Sequence, residues 1–121
     1  MRLPIQYALS FPERLASDFP RADLFALKNL TFEEPGLHRF PNLALAYQAM
    51  HRGGNMPCVL NAANEVVNLA FREGRCGFLQ MSEIIEKTMI QAEFIQKPTY
   101  EDYVATDAAA RRIAEEMVNG K

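Results

Sequence analysis

The side chains with the clearest chemical potential lie in one short stretch, LNAANEVVNLAF, at positions 60–71. Asn61, Asn64 and Asn68 recur at helical spacing beside Glu65, although each asparagine costs roughly 0.6 kcal/mol of helix propensity relative to alanine. An amide offers two donors and two acceptor sites on a short side chain, which suits hydrogen bonding to exposed backbone. On a helical wheel these polar residues lie opposite an apolar face made of Val59, Ala63, Val66 and Ala70.

We call Asn61, Asn64, Glu65 and Asn68 the amide stripe. A helix face that met only water would be more stable with lysine, arginine or glutamine. We therefore hypothesise that the amide stripe pins residues 1–40, or the domain from which they lead, onto the helices of the chain. The alternative is an exposed polar face without a partner.

The usual catalytic signatures are missing from the sequence, which has no GxGxxG, GxxxxGK[ST], HExxH or GxSxG pattern. His38 and His51 lie near the ends of predicted elements, and we interpret both as surface or linker residues. The alternative is that one of them transfers protons in catalysis. Capping and solvation account for the scattered carboxylates, which include Glu33, Glu34, Glu83, Glu86, Glu101 and Asp102. The residues themselves predict no catalytic group and no metal ligand.

Cys58 and Cys76 are the only cysteines, and they form no CxxC pair or Cys/His cluster. We expect two ordinary thiols; a disulfide is the alternative, which an intracellular setting disfavours. The methionines at helical spacing are expected to fill the core rather than form a binding surface: Met50, Met56, Met81 and Met89.

Length and composition set the class of protein. The 121 residues are enough for one domain with a genuine core, and 49% of them are hydrophobic. A net charge of −2 argues against a nucleic-acid partner of the basic-patch kind. Since no apolar run approaches the roughly 20 residues of a membrane span and the opening MRLPIQYALS lacks a signal-peptide core, we expect a soluble intracellular protein.

Proline divides the chain near residue 40, because four of the seven prolines precede that point and Pro41 lies just beyond it. Such a segment cannot form long regular elements alone. We expect a short helix over residues 4–9, and the alternation in ALKNLTF predicts one strand over residues 26–32 that must pair with another part of a larger protein or with a second copy.

Helical periodicity dominates from Pro41 onward. The pattern predicts helices over residues 41–52, 57–72 and 80–93. A fourth helical region begins with a capping box at Thr99, and a break is expected near Thr106-Asp107 because Asp107 is a good N-cap. In the first of these helices one apolar face is formed by Leu43, Ala46, Tyr47 and Met50. The predicted fold is mainly α: a four-helix bundle over residues 41–121, preceded by a Pro-rich connecting arm, residues 1–40, with one short strand.

The sequence as a whole resembles a known family. Four segments, MRLPIQYALSFPERL, DLFALKNLTFEEPG, FPNLALAY and LNAANEVVNLAF, are similar in order and approximate spacing to the C-terminal portion of 1-deoxy-D-xylulose 5-phosphate reductoisomerase. The resemblance covers Met1 to about Asn119. It implies that the chain is the connecting segment and helical bundle domain of a bacterial cytoplasmic enzyme, with a plastid-type compartment as the alternative.

The resemblance also implies what the parent enzyme does. The family converts 1-deoxy-D-xylulose 5-phosphate to 2-C-methyl-D-erythritol 4-phosphate in the non-mevalonate isoprenoid pathway, with NADPH and Mg²⁺ or Mn²⁺. Its nucleotide-binding domain and its metal and substrate ligands would lie before Met1, so no catalytic or metal-binding residue carries over. Met1 alone matches a family position near the nicotinamide end of the cofactor pocket.

The expected role of these 121 residues is therefore structural, with no cofactor bound to them and no turnover by themselves. The resemblance further implies a homodimer, and the lone predicted strand suggests strand exchange around Leu30–Phe32. The rival hypothesis is a free-standing helical adaptor that binds protein partners through an exposed apolar patch.

Overall fold

A computed structural model describes residues 2–120, and this part of the chain is mainly helical, as predicted. Its six helices are α1 (Arg2–Ser10), α2 (Leu24–Leu27), α3 (Pro41–Arg52), α4 (Met56–Arg72), α5 (Phe78–Gln91) and α6 (Tyr100–Val118). The chain divides into two compact units, one ending at Glu34 and the other beginning at Pro35. No helix within residues 2–120 is both long enough and apolar enough to cross a membrane.

The first unit holds α1 and α2, and neither helix contains a buried residue. α2 is a single turn that begins because the Asp23 carboxylate accepts hydrogen bonds from the backbone N–H groups of Phe25 and Ala26. The strand predicted over residues 26–32 is not found: residues 26 and 27 belong to α2, and no β-strand occurs between residues 2 and 120. Without a neighbouring strand, the alternating pattern has nothing to pair with.

The second unit is built around α4, which packs against α3, α5 and α6. Seven side chains of α4 are buried, and five of them are fully inaccessible small or β-branched residues: Val59, Ala62, Ala63, Val67 and Ala70. Ala110 and Ala114 of α6 are also fully buried. Alanines on facing helices let the two backbones approach closely, so α4 and α6 form the tightest part of the core.

Most helix limits agree with those predicted from periodicity, to within two residues. Met81 and Met89 of α5 are buried, as expected for core methionines, and Ile84 and Ile85 are buried beside them. The break expected near Thr106-Asp107 is wrong, because α6 continues through both residues. Asp107 does not cap a new helix; its carboxylate accepts a hydrogen bond from Arg111, one turn later, at 2.7 Å. The Thr106 hydroxyl is also engaged within the core.

The apolar face expected on α3 points away from the core. Leu45 and Ala49 are the buried residues of this helix, whereas Tyr47 and Met50 are 46% and 60% exposed. Met50 is therefore not core filler, in contrast to Met56, Met81 and Met89, which are buried. α3 carries apolar residues on two faces, and periodicity alone could not decide which one packs on α4.

Two adjacent glycines join α3 to α4, and both have a positive φ. They differ in their surroundings. A Cβ at Gly53 would meet nothing within 4 Å, whereas a Cβ at Gly54 would collide with the Ile95 carbonyl oxygen and lie 2.9 Å from Cε2 of Phe94. Gly54 thus permits close contact between the start of α4 and the connection that follows α5.

We predict that Gly54→Ala destabilises the chain far more than Gly53→Ala. The Gly53 substitution incurs only the strain of a backbone conformation, φ 69° and ψ −150°, that is nearly restricted to glycine, about 1–3 kcal/mol. The Gly54 substitution adds a clash with backbone to the strain of its positive φ. Urea unfolding of the two variants measures the difference. Equal losses of stability would show that the contact with Ile95 is unimportant.

Candidate functional site

The amide stripe lies on the outward face of α4, opposite a face that is buried, as the helical wheel indicates. Asn61, Glu65 and Asn68 are exposed, and Asn64 is half-buried. Asn61 donates a long hydrogen bond of 3.4 Å to Oε1 of Glu65. Most of the hydrogen-bonding capacity of this surface is therefore directed outward.

Among residues 2–120, Glu65 is the one stripe residue with a strong hydrogen-bond partner on another helix. Its carboxylate accepts a hydrogen bond from Arg111 of α6, which also donates to Asp107. Because of the hydrogen bond and charge of Arg111, the pKa of Glu65 is lowered from 4.5. A lowered carboxylate pKa means that this pair stabilises the fold at neutral pH and that the contribution is lost as the pH falls through the pKa of Glu65 in the folded state. All three side chains are substantially exposed, so the contribution is small.

A shallow cavity of about 200 Å³ adjoins the stripe. Asn64 and Leu60 of α4, Asn42 of α3 and Ile85 of α5 line it. Two amides at the rim of an apolar depression can hydrogen-bond a backbone segment whose side chain enters the depression. The arrangement suits recognition of another piece of polypeptide rather than bond-making chemistry.

The amide with the most contacts is Asn55, which the sequence analysis did not single out. It is fully buried at the start of α4. Its Nδ2 donates to the Glu93 carbonyl oxygen at 2.9 Å and to Oγ1 of Thr106 at 3.0 Å, and its Oδ1 accepts from the Ile95 backbone N–H at 2.9 Å. The backbone N–H of Asn55 also donates to the Ile95 carbonyl oxygen at 3.1 Å.

A local signal for Asn55 exists, since asparagine after Gly-Gly and before a helix predicts an N-cap. That signal would have led to the wrong role, because the Asn55 side chain makes no capping hydrogen bond to α4. Its partners are 38 to 51 positions away in sequence. Only the tertiary structure brings them together.

The remaining candidates do not form a catalytic group. His38, Glu83 and Glu86 line an open cleft of about 420 Å³ between α3 and α5. Within residues 2–120, no group of three His, Cys, Asp or Glu side chains could hold a metal ion. His51 lies in the last turn of α3, and Met1, the predicted cofactor contact, lies outside the described residues.

Cys58 and Cys76 are free thiols, so no disulfide joins them. Both are half-buried, and Cys76 donates to the Val67 carbonyl oxygen at 3.5 Å. Burial, followed by the charge of Asp107, raises the pKa of the Cys58 thiol. A raised pKa leaves less reactive thiolate at neutral pH, as for a structural cysteine.

The comparisons with known proteins agree with this picture. The family model for the DXP reductoisomerase C-terminal domain matches residues 1–113. The 1-deoxy-D-xylulose 5-phosphate reductoisomerase of Bacteroides fragilis is 62% identical over 118 residues, which are 98% of this chain and 30% of that protein. The enzyme of the same name from Desulforamulus reducens is 48% identical over the same share of both chains.

A solved structure shares the fold. The 1-deoxy-D-xylulose 5-phosphate reductoisomerase from Zymomonas mobilis in complex with NADPH matches with a TM-score of 0.84 and 36% identity, over 97% of this chain and 31% of that one. The chain described here belongs to the DXP reductoisomerase family and corresponds to its C-terminal domain. It spans about 30% of the length of the relatives it matches.

We predict that Asn55→Ala costs about 3 kcal/mol of unfolding free energy, because it leaves the buried Thr106 hydroxyl and the part-buried backbone groups of Glu93 and Ile95 without this partner and opens a small cavity. Asn42→Ala is the matched control, since Asn42 is exposed; that change should stay within about 0.5 kcal/mol. Urea denaturation followed by circular dichroism measures both. A loss for Asn55→Ala no larger than that of the control would contradict the role assigned to Asn55.

Proposed function

We propose that this chain is the C-terminal helical domain of an enzyme that converts 1-deoxy-D-xylulose 5-phosphate to 2-C-methyl-D-erythritol 4-phosphate in non-mevalonate isoprenoid biosynthesis. The observation that carries the proposal is 62% identity to a named reductoisomerase over 98% of the chain. The same match favours this function over a free-standing adaptor. In the full-length reductoisomerase, this domain supports the catalytic part and is inactive alone.

The proposal places the reactive groups in the preceding part of the polypeptide. The Zymomonas mobilis relative was solved with NADPH, which supports NADPH as the cofactor here. A divalent cation, Mg²⁺ or Mn²⁺, would assist the rearrangement by holding substrate oxygens. Residues 2–120 do not fit such an ion, as they lack a group of three suitable ligands. Met1 is the one residue of this chain that we propose lies near the nicotinamide end of NADPH in the full-length enzyme.

Within this proposal, residues 1–40 are the connecting segment from the catalytic domain and residues 41–121 form the four-helix bundle domain. The amide stripe then holds the connecting segment or the catalytic domain against the bundle. Its outward direction and the adjoining cavity support this role. Asn64 is central, because it belongs to the stripe and also lines the cavity.

The remaining parts of the proposal concern assembly and location. The exposed, non-helical residues Leu30 and Phe32 would form a strand by exchange between two copies, giving a homodimer. A full-length enzyme that sediments as a monomer would contradict this part. Relatives from bacteria such as Bacteroides fragilis support a location in the bacterial cytoplasm.

We predict that Asn61→Ala and Asn64→Ala lower the melting temperature of the full-length reductoisomerase, because each removes hydrogen bonds across a domain contact. Gln91→Ala is the comparison, because Gln91 is an exposed amide of α5 that lies outside both the stripe and the cavity. Differential scanning calorimetry measures all three proteins. Unchanged melting temperatures for both stripe variants would mean that the stripe faces solvent.

We also predict that the 121-residue chain binds NADPH no more tightly than the millimolar range and forms no product, whereas the full-length enzyme does both. Calorimetric titration with NADPH and a coupled assay of NADPH oxidation with 1-deoxy-D-xylulose 5-phosphate test this. Micromolar binding or turnover by the 121-residue chain would contradict the proposal that the reactive groups lie in the preceding part of the polypeptide. A full-length enzyme without turnover would overturn the proposed function itself.

A further inference from the structure

α3 carries a row of exposed apolar side chains that the core does not use. Phe40, at the N-cap, is followed by Leu43, Tyr47 and Met50 at intervals of three, four and three residues. Phe40, Tyr47 and Met50 are 55%, 46% and 60% exposed, and Leu43 is half-buried. We call these four residues the outer seam. The 3-4-3 spacing is that of a helix face packed against another element.

The outer seam is not a misplaced part of the core. The opposite side of α3 already packs on α4 and α5 through Leu45 and Ala49, which are 5% and 2% exposed. A helix with apolar residues on both faces is typical of an interior position between two layers. Here one of the two layers is α4 and α5, on which the Leu45 and Ala49 side of α3 packs.

We propose that the outer seam is the docking surface for the part of the reductoisomerase polypeptide that precedes residue 1. This inference rests on the proposed function. The chain matches the C-terminal domain of its family and spans about 30% of the length of its relatives, so the remaining 70% supplies an occupant in the same polypeptide.

The size of the outer seam favours this occupant over a second copy of the chain. Aromatic side chains bury about 150–250 Å² each, so four partly exposed residues offer on the order of 400 Å². A stable interface between separate molecules needs about 800 Å² per partner. A tethered domain needs less buried area, because the linker raises its effective concentration and reduces the entropy lost on docking.

The chemistry of the outer seam defines the occupant further. Three of its side chains are wholly apolar, and the fourth carries the Tyr47 hydroxyl. The docked surface must therefore be apolar, with one hydrogen-bonding group that satisfies this hydroxyl. Removal of the long, flexible Met50 side chain disturbs such a contact least, which makes position 50 suitable for a probe.

Thiol labelling tests the proposal directly. Met50→Cys is introduced into the 121-residue chain and into the full-length reductoisomerase, and its reaction with a maleimide is followed by peptide mass spectrometry, which separates it from Cys58 and Cys76. Ile90→Cys on α5 is the matched control, because Ile90 is also apolar, helical and 74% exposed.

We expect the two introduced cysteines to react at similar rates in the 121-residue chain. In the full-length enzyme Met50→Cys should react about ten-fold more slowly than Ile90→Cys, because a thiol in a packed contact reacts only on local opening.

Equal rates in the full-length enzyme would overturn the proposal. Protection that disappears on dilution would also overturn it, since the occupant would then be a second copy. Because turnover is measured separately, an active enzyme with an unprotected Met50→Cys would reject the docking surface and leave the proposed function intact.

Discussion

The hydrogen bonds of Asn55 connect three parts of the helical unit that are distant in sequence. One buried amide holds the first turn of α4, the connection after α5 and the middle of α6. Without the amide, the buried Thr106 hydroxyl and the part-buried backbone groups of Glu93 and Ile95 would lose this partner, and an unsatisfied buried polar group costs about 1–3 kcal/mol. The path of residues 92–98, and with it the starting point of α6, depends on this side chain. Gly54 supports the same contact, since any side chain there would push the connection away.

The packing of the helical core depends on small residues of α4 and α6. Ala62 and Ala63 on α4 and Ala110 and Ala114 on α6 are fully buried, so these two helices approach closely along their length. Larger residues fill the space toward α5, where Met81, Ile84, Ile85 and Met89 are buried. The result places the amide stripe and the outer seam on surfaces that the core leaves free. Both surfaces suit attachment to the rest of a larger protein, in agreement with a chain that spans 30% of its relatives.

Sequence reasoning succeeded where the signal was local. Helix limits for α3 and α4 follow from Pro41, Pro57 and the glycines at 53 and 54, and the capping box at Thr99 is formed. Prediction from sequence failed where the local structure depended on a hydrogen-bond partner distant in sequence. A helix break was predicted near Thr106-Asp107 because Asp107 is a good N-cap, but Asn55 and Arg111 engage the two side chains and the helix continues.

The amino-acid sequence by itself determined the helical class, the limits of α3 to α5, the start of α6 and the family, because periodicity, capping and motif order are properties of neighbouring residues. Only the tertiary structure decided which face of α3 meets the core, since Leu45 and Ala49 compete with an equally apolar row. It also identified Asn55 rather than the amide stripe as the buried polar anchor. Burial and hydrogen-bond partners depend on residues some 40 to 50 positions away, and no local pattern specifies them.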